Sequence, residues 1–226
     1  MATSYSPKII TDGLVLCLDA GDGKSYSGSG TTWTDRSGNG LIGTINGATF
    51  NSTSKTFSFD GTDDYIALNG NVTVPAVGFT VMMAININDS QSSSGWNYWF
   101  YEGANDGHKY EFGQYGTTGN RFHFKDNFNQ SSSNMTATLD SSGFTIFHFG
   151  STSSSYSFFS RNAEAKVLSN GNAGWTGGND ITFDQFFRGG SAYYGAEIGN
   201  ILIYNKELSQ NEIIQNYNAI KGRFGL

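Results

Sequence analysis

The chain has 226 residues, a net charge of −6 and a pI near 4.9, with 30 Gly, 2 Pro, one Cys and 15% aromatic residues. A single cysteine excludes a disulfide scaffold, the 18 Phe and 12 Tyr exclude an acidic disordered chain, and no run of about 18 apolar residues is present to span a membrane. Thirteen scattered Lys and Arg against 19 Asp and Glu argue against nucleic acid as a partner. Gly, Ser, Thr and Asn make up roughly two-fifths of the chain, so its polarity comes from small neutral residues.

The organisation expected is a short arm, residues 1–8, and one all-β domain over 9–226. Met1–Ser6 has no basic segment leading into an apolar run, so no signal peptide is expected. The first strand is Leu14–Leu18, which ends at Asp19 and a glycine-rich loop. Phe57-Ser58-Phe59 alternates and stops at the turn dipeptide Asp60-Gly61, and Tyr65–Leu68 resumes a strand. Phe79–Ile87 is the longest run, with Val81, Met83, Ile85 and Ile87 on one face and Met82, Ala84 and Asn86 on the other. Strands follow at Trp96–Tyr101, His108–Phe112, Arg121–Lys125 and Phe144–Phe149. The last set is Tyr156–Phe159, Ala165–Leu168, Ile181–Phe187 and Ile198–Tyr204. Serine clusters at 92–94, 131–133 and 153–155 read as hairpin loops. Strands about every ten residues, with turn residues between, predict a two-sheet antiparallel jelly roll rather than βαβ units. One helix is signalled at the end of the chain. Ser209 and Glu212 form a capping box, Ile213, Ile214, Tyr217 and Ile220 share a face, and Gly222 is placed to stop it.

Three segments together resemble the concanavalin A-like, laminin-G-like jelly-roll family. They are Gly13–Gly21 with Ser25-Tyr26 and Gly30–Gly40, then Phe57–Ile66, then Gly199–Ser209 leading into Glu212-Ile213. The opening resembles the form found in structural proteins of tailed bacteriophages. That resemblance implies a virion location, on capsid or tail, with other virion proteins as partners and self-association and host-surface glycans as further candidates. The lack of a long apolar run gives no expectation of a membrane partner, and the lack of a catalytic motif none of enzymatic activity. A lectin-like module not tied to a virion is the alternative, and a glycan hydrolase the third reading. Laminarinase-like members of the superfamily carry Glu-x-Asp-x-x-Glu on one strand, and no such string occurs here.

The residues themselves offer three chemistries. His108, His123 and His148 are isolated within strand patterns, without metal-ligand spacing on one element, and read as strand residues satisfied by hydrogen bonds. Cys17 sits in an apolar strand and reads as core filler. The family resemblance implies a Ca²⁺ at the sandwich rim, for which Asp60, Asp63 and Asp64 are the leading candidates, with Asp19, Asp22 and Asp35 from the first loops. The same aspartates are ordinary turn residues that bond their own backbone, so that alternative stays open. Sugars present flat C–H faces that stack on aromatic rings. Trp175, Tyr193 and Tyr194 are loop candidates for that role, and Trp99 and Tyr101 are strand candidates. Each of these rings would serve equally as core or as a protein interface.

Overall fold

The computed structural model describes residues 7–87, 96–101, 110–115, 121–126, 133–136, 143–154, 156–168, 180–189 and 192–226. The chain runs through β1 (Leu14–Asp19), β2 (Thr32–Thr34), β3 (Ile42–Asn46), β4 (Thr49–Asn51), β5 (Thr56–Asp60), β6 (Tyr65–Val74), β7 (Phe79–Ile87) and β8 (Trp96–Tyr101). It continues with β9 (Tyr110–Tyr115), β10 (Arg121–Asp126), β11 (Ser133–Thr136), β12 (Phe144–Ser151), β13 (Ser157–Arg161), β14 (Val167–Leu168) and β15 (Ile181–Phe186). It closes with β16 (Arg188–Gly189), β17 (Ala192–Tyr193), β18 (Gly195–Tyr204) and α1 (Gln210–Ile220), followed by a 3-10 turn over Lys221–Phe224.

Two eight-stranded antiparallel sheets form the expected sandwich. One has the order β14-β13-β12-β7-β18-β5-β4, with β1 also pairing β18; the other is β11-β10-β9-β8-β15-β6-β3-β2. Alternation along β7 decides how the first sheet is covered. Val81, Met83, Ile85 and Ile87 face the second sheet, and join Leu16, Leu18, Trp33, Phe57, Phe147 and Ile203 in the inter-sheet core. Met82 and Ala84 face away from it and join Cys17, Leu202, Tyr204, Leu208 and Ile213 in a second cluster. Helix α1 lies over this outer face, so the first sheet is buried on both sides and its strands read as near-continuous apolar runs.

The helix begins as predicted. The Ser209 side chain accepts from the Glu212 N–H, and the Glu212 carboxylate accepts from the Ser209 N–H at 2.7 Å. Its burial differs in detail, because Ile213 is buried while Ile214 is exposed. Gly222 does not stop it. The chain tightens into the 3-10 turn, and Gly225, at φ 74°, is the residue that ends it. Ile9 and Ile10 pack against the helix-side cluster. There the Ile10 N–H donates to Asn216 Oδ1 at 2.8 Å and the Tyr204 hydroxyl donates to the Ile10 carbonyl at 3.0 Å. The segment after the predicted arm is therefore already docked on its own domain.

Cys17 is core, as expected, and burial, with the nearby Asp19, Asp35 and Asp22 carboxylates adding to it, pushes its thiol up to about 12. His148 departs from expectation. It is fully buried, and neither ring nitrogen has a hydrogen-bond partner among the described residues. Burial, helped by the Lys166 charge, pushes its pKa down to about 3, so the ring is neutral. His108 and the side chain of His123 lie outside the described residues.

Candidate functional site

Strand register brings several loops to one end of the sandwich. Asp60 at the end of β5 pairs with Gly195 at the start of β18, and Asn46 at the end of β3 pairs with Tyr65 at the start of β6. Phe186 at the end of β15 pairs with Phe100 near the end of β8. The turn 60–65 and the segment 187–194 therefore share this rim.

Phe187 shapes that segment. Its φ is +64°, a conformation a β-carbon resists, at a cost of about 1–2 kcal/mol. The fold holds it there. Its ring is fully buried, 4.7 Å from Phe59. Its N–H donates to the Trp99 carbonyl at 3.0 Å, and its own carbonyl accepts from the Tyr194 N–H at 3.1 Å. The reversal sends the chain out of the core into a small hairpin, in which Arg188 pairs with Tyr193 and Gly189 with Ala192. Arg188 then lies over two rings. Its guanidinium carbon is 4.9 Å from the Tyr65 ring centre and 5.8 Å from that of Tyr193, and the two rings are 6.3 Å apart. All three side chains are half-buried, so each keeps a face to solvent. Such stacking orients the rings and the cation without desolvating them fully.

The acidic turn adjoins this cluster through Tyr65. Carboxylate oxygens of Asp60, Asp63 and Asp64 lie within 4.8 Å of one another. Asp60 Oδ1 accepts from the Thr62 N–H at 2.7 Å, and Asp64 Oδ2 accepts from the Asp60 N–H at 2.8 Å, so turn chemistry is present as anticipated. Asp60 and Asp63 are exposed, whereas Asp64 is buried, with its other oxygen against Gly47. Burial raises the Asp64 pKa, the Asp60 N–H bond opposes this, and the neighbouring Asp60 and Asp63 charges add to the rise. Three carboxylates on one short turn are an all-oxygen donor set, which fits a hard divalent cation. Asp60 and Asp63 would hold it, with Asp64 fixing the turn beneath.

The residues singled out from sequence separate clearly. Tyr193 and the three aspartates come together at this rim. Trp99 and Tyr194 do not offer rings to a ligand, because both are core. Trp99 packs 5.4 Å from Phe147, and Tyr194 packs 6.2 Å from Trp99. Adjacent strand residues point to opposite faces, which is why Tyr193 is presented and Tyr194 is buried. Trp175 and the side chain of Tyr101 lie outside the described residues. Sequence reasoning passed over Tyr65 and Arg188 as site residues. The available signal was an arginine set directly before Gly189-Gly190 in a chain poor in cations.

No family model and no curated protein matches the sequence. Solved structures match the fold. A Trypanosoma rangeli sialidase is similar with a TM-score of 0.67 at 12% identity, over 98% of this chain and 36% of that one. The same enzyme in complex with sialic acid gives 0.66 at 12% identity, over 98% and 36%. The binding domain of botulinum neurotoxin DC in complex with rat synaptotagmin II gives 0.65 at 16% identity, over 93% and 52%. The chain thus spans about a third to a half of the structures it resembles. At this identity the likeness establishes a shared β-sandwich fold, and function must be argued from the site.

Proposed function

We propose that this protein is a non-enzymatic recognition module that binds host-surface glycans at the rim formed by Tyr65, Arg188 and Tyr193. The observation that carries the reading is Phe187, whose strained, doubly hydrogen-bonded backbone presents Arg188 and Tyr193 beside Tyr65. Half-exposed rings with an ordered cation suit the flat C–H face and hydroxyls of a sugar. The sialic-acid complex of a similar structure is consistent with a glycan, and the synaptotagmin complex of another makes a protein ligand the second reading. The resemblance of the opening segments to tailed-phage structural domains supports display on a virion, on capsid or tail, with other virion proteins as neighbours. A catalytic role for the acidic turn is disfavoured because Asp64, the raised acid, is buried with one oxygen on the Asp60 N–H and the other against Gly47.

A glycan array on the purified protein tests the binding reading. Signals above background that Tyr193→Ala weakens are expected, and a flat array contradicts it. Localisation in particle density tests the virion reading, and absence from purified particles contradicts it. Calcium is part of the same proposal. A bound ion stabilises the folded state by mass action, so chelation is expected to lower the melting temperature, and Asp63→Asn to remove that response.

A further inference from the structure

A concave feature away from the rim lies beside β1. It is a cleft of about 330 Å³ lined by Val15, Asn39, Leu41, Asn71, Val72 and Thr73. The volume sits at the lower end of ligand pockets, enough for one sugar ring and part of the next. Val15 comes from β1, Asn39 and Leu41 from the loop between β2 and β3, and the other three from the end of β6. Val15, Leu41 and Val72 give it an aliphatic floor. Its polar groups are arranged around that floor and are available. The Asn39 amide nitrogen donates to the Val15 carbonyl at 2.9 Å and to Ser37 Oγ at 3.1 Å, which fixes the side chain and leaves its oxygen unused. The side chains of Asn71 and Thr73 are exposed and make no hydrogen bond among the described residues. Among the described residues that line the cleft, none is titratable.

These features narrow the ligand class. The uncharged character of the described lining disfavours a phosphate, a carboxylate or a cation, each of which needs a compensating group on desolvation. Among the described lining residues there is no aromatic ring to stack a nucleobase. An amide supplies paired donors and an acceptor, a threonine hydroxyl supplies both, and an aliphatic floor accepts a C–H face. That combination matches vicinal hydroxyls on an uncharged pyranose. A peptide strand would need a row of backbone partners along an edge, and here three side chains converge on one pocket.

We propose that this cleft is a second saccharide subsite, selective for an uncharged sugar unit, which extends the rim reading above to a longer glycan. Tyr65 and Thr73 lie near opposite ends of β6, so rim and cleft are two separate places on the same strand. One polysaccharide chain spanning both would gain affinity from the linkage rather than from any new contact.

The test is a titration of the isotope-labelled protein, followed by backbone and side-chain amide NMR signals. The probes are lactose, maltotriose and chitotriose, each to about 50 mM, because a single-ring site is expected to bind in the millimolar range. Shifts at Asn39, Asn71 and Thr73 with at least one probe are expected. The double variant Asn71→Ala/Thr73→Ala, which touches only exposed side chains, is expected to lose those shifts and keep its melting temperature. No shift at these residues with any probe overturns the proposal, as does a shift that survives the double variant. Shifts there with an uncharged peptide, N-acetyl-glycyl-serine amide, and not with the sugars also overturn it. The two readings fail separately: movement at Tyr193 without Asn71 removes the cleft, and movement at Asn71 without Tyr193 removes the rim.

Discussion

Gly47 and Asp64 show how single residues hold the rim. Gly47 has φ +80°, and a β-carbon there would collide with Asp64 Oδ1. Gly40 has φ +74° but faces open space. Gly47→Ala is therefore expected to cost more than Gly40→Ala. The second pays only for the left-handed backbone, about 1 kcal/mol, while the first also displaces a buried carboxylate, for a total of about 2–4 kcal/mol by urea unfolding. His148 gives a pH prediction. Its pKa is about 3 when folded against an ordinary 6.5, so the unfolded chain takes up a proton over that interval and the folded chain does not. Its contribution to stability is complete above pH 6.5 and declines as the pH falls towards 3. His148→Leu is expected to flatten the fall in melting temperature between these limits, and an unchanged slope would contradict the assignment. Glu207 and Glu212 act lower. Burial raises both, but the Lys166 and Lys206 ion pairs and backbone N–H bonds outweigh it and hold them below the usual 4.5, so their contribution is lost as the pH falls below that value. The full burial of His148, with no hydrogen-bond partner among the described residues, was not legible in the sequence, because alternation gives a residue's face and says nothing of what covers it.

At the scale of elements, legibility followed length and periodicity. The nine residues of β7 carry several periods of alternation, and both faces were read correctly from it. Strands β2 and β4 have three residues each, and β3 contains a glycine and only two buried residues, so none shows a period to read. β3 pairs because β6 offers it an edge, β2 then adds to β3, and β4 adds to β5, so each is fixed by its partner rather than by its own pattern. The helix start was legible because a capping box is local chemistry. Its end was not, because Lys221–Phe224 is drawn down by contacts from afar. Arg223 pairs with Asp19 and donates to the Gly199 carbonyl at 3.1 Å, and a β-carbon at Gly199 would strike the Phe224 ring. Ser209→Ala should remove one partner of the cap and cost about 1 kcal/mol. Circular dichroism with urea is expected to show that loss without a change in the sheet signal.

The whole molecule is three layers, a helix on a sheet on a sheet, with the helix side closed and the rim at one end carrying the exposed chemistry. The fold class was open to sequence reasoning because many short strands with turn residues between them leave few alternatives. The site was open only in part. Tyr193 and the aspartates, which the structure brings to one rim, stood out because loops with glycine and aspartate advertise themselves. Tyr65 and Arg188 become partners only after β6 and the 187–194 hairpin meet across more than a hundred residues of chain. The cleft beside β1, with Asn39, Asn71 and Thr73, follows the small neutral polarity of the composition, and the rim departs from it by placing a cation, Arg188, over two tyrosine rings. The central claim is that the rim recognises a glycan through the Arg188–tyrosine stack. Isothermal titration with the strongest array ligand, for the natural chain and Tyr193→Ala, tests it most directly. Loss of one ring contact and its cation stacking is worth about 1–2 kcal/mol, so affinity about ten-fold weaker at an unchanged melting temperature is expected; equal affinity in the two proteins would contradict the account.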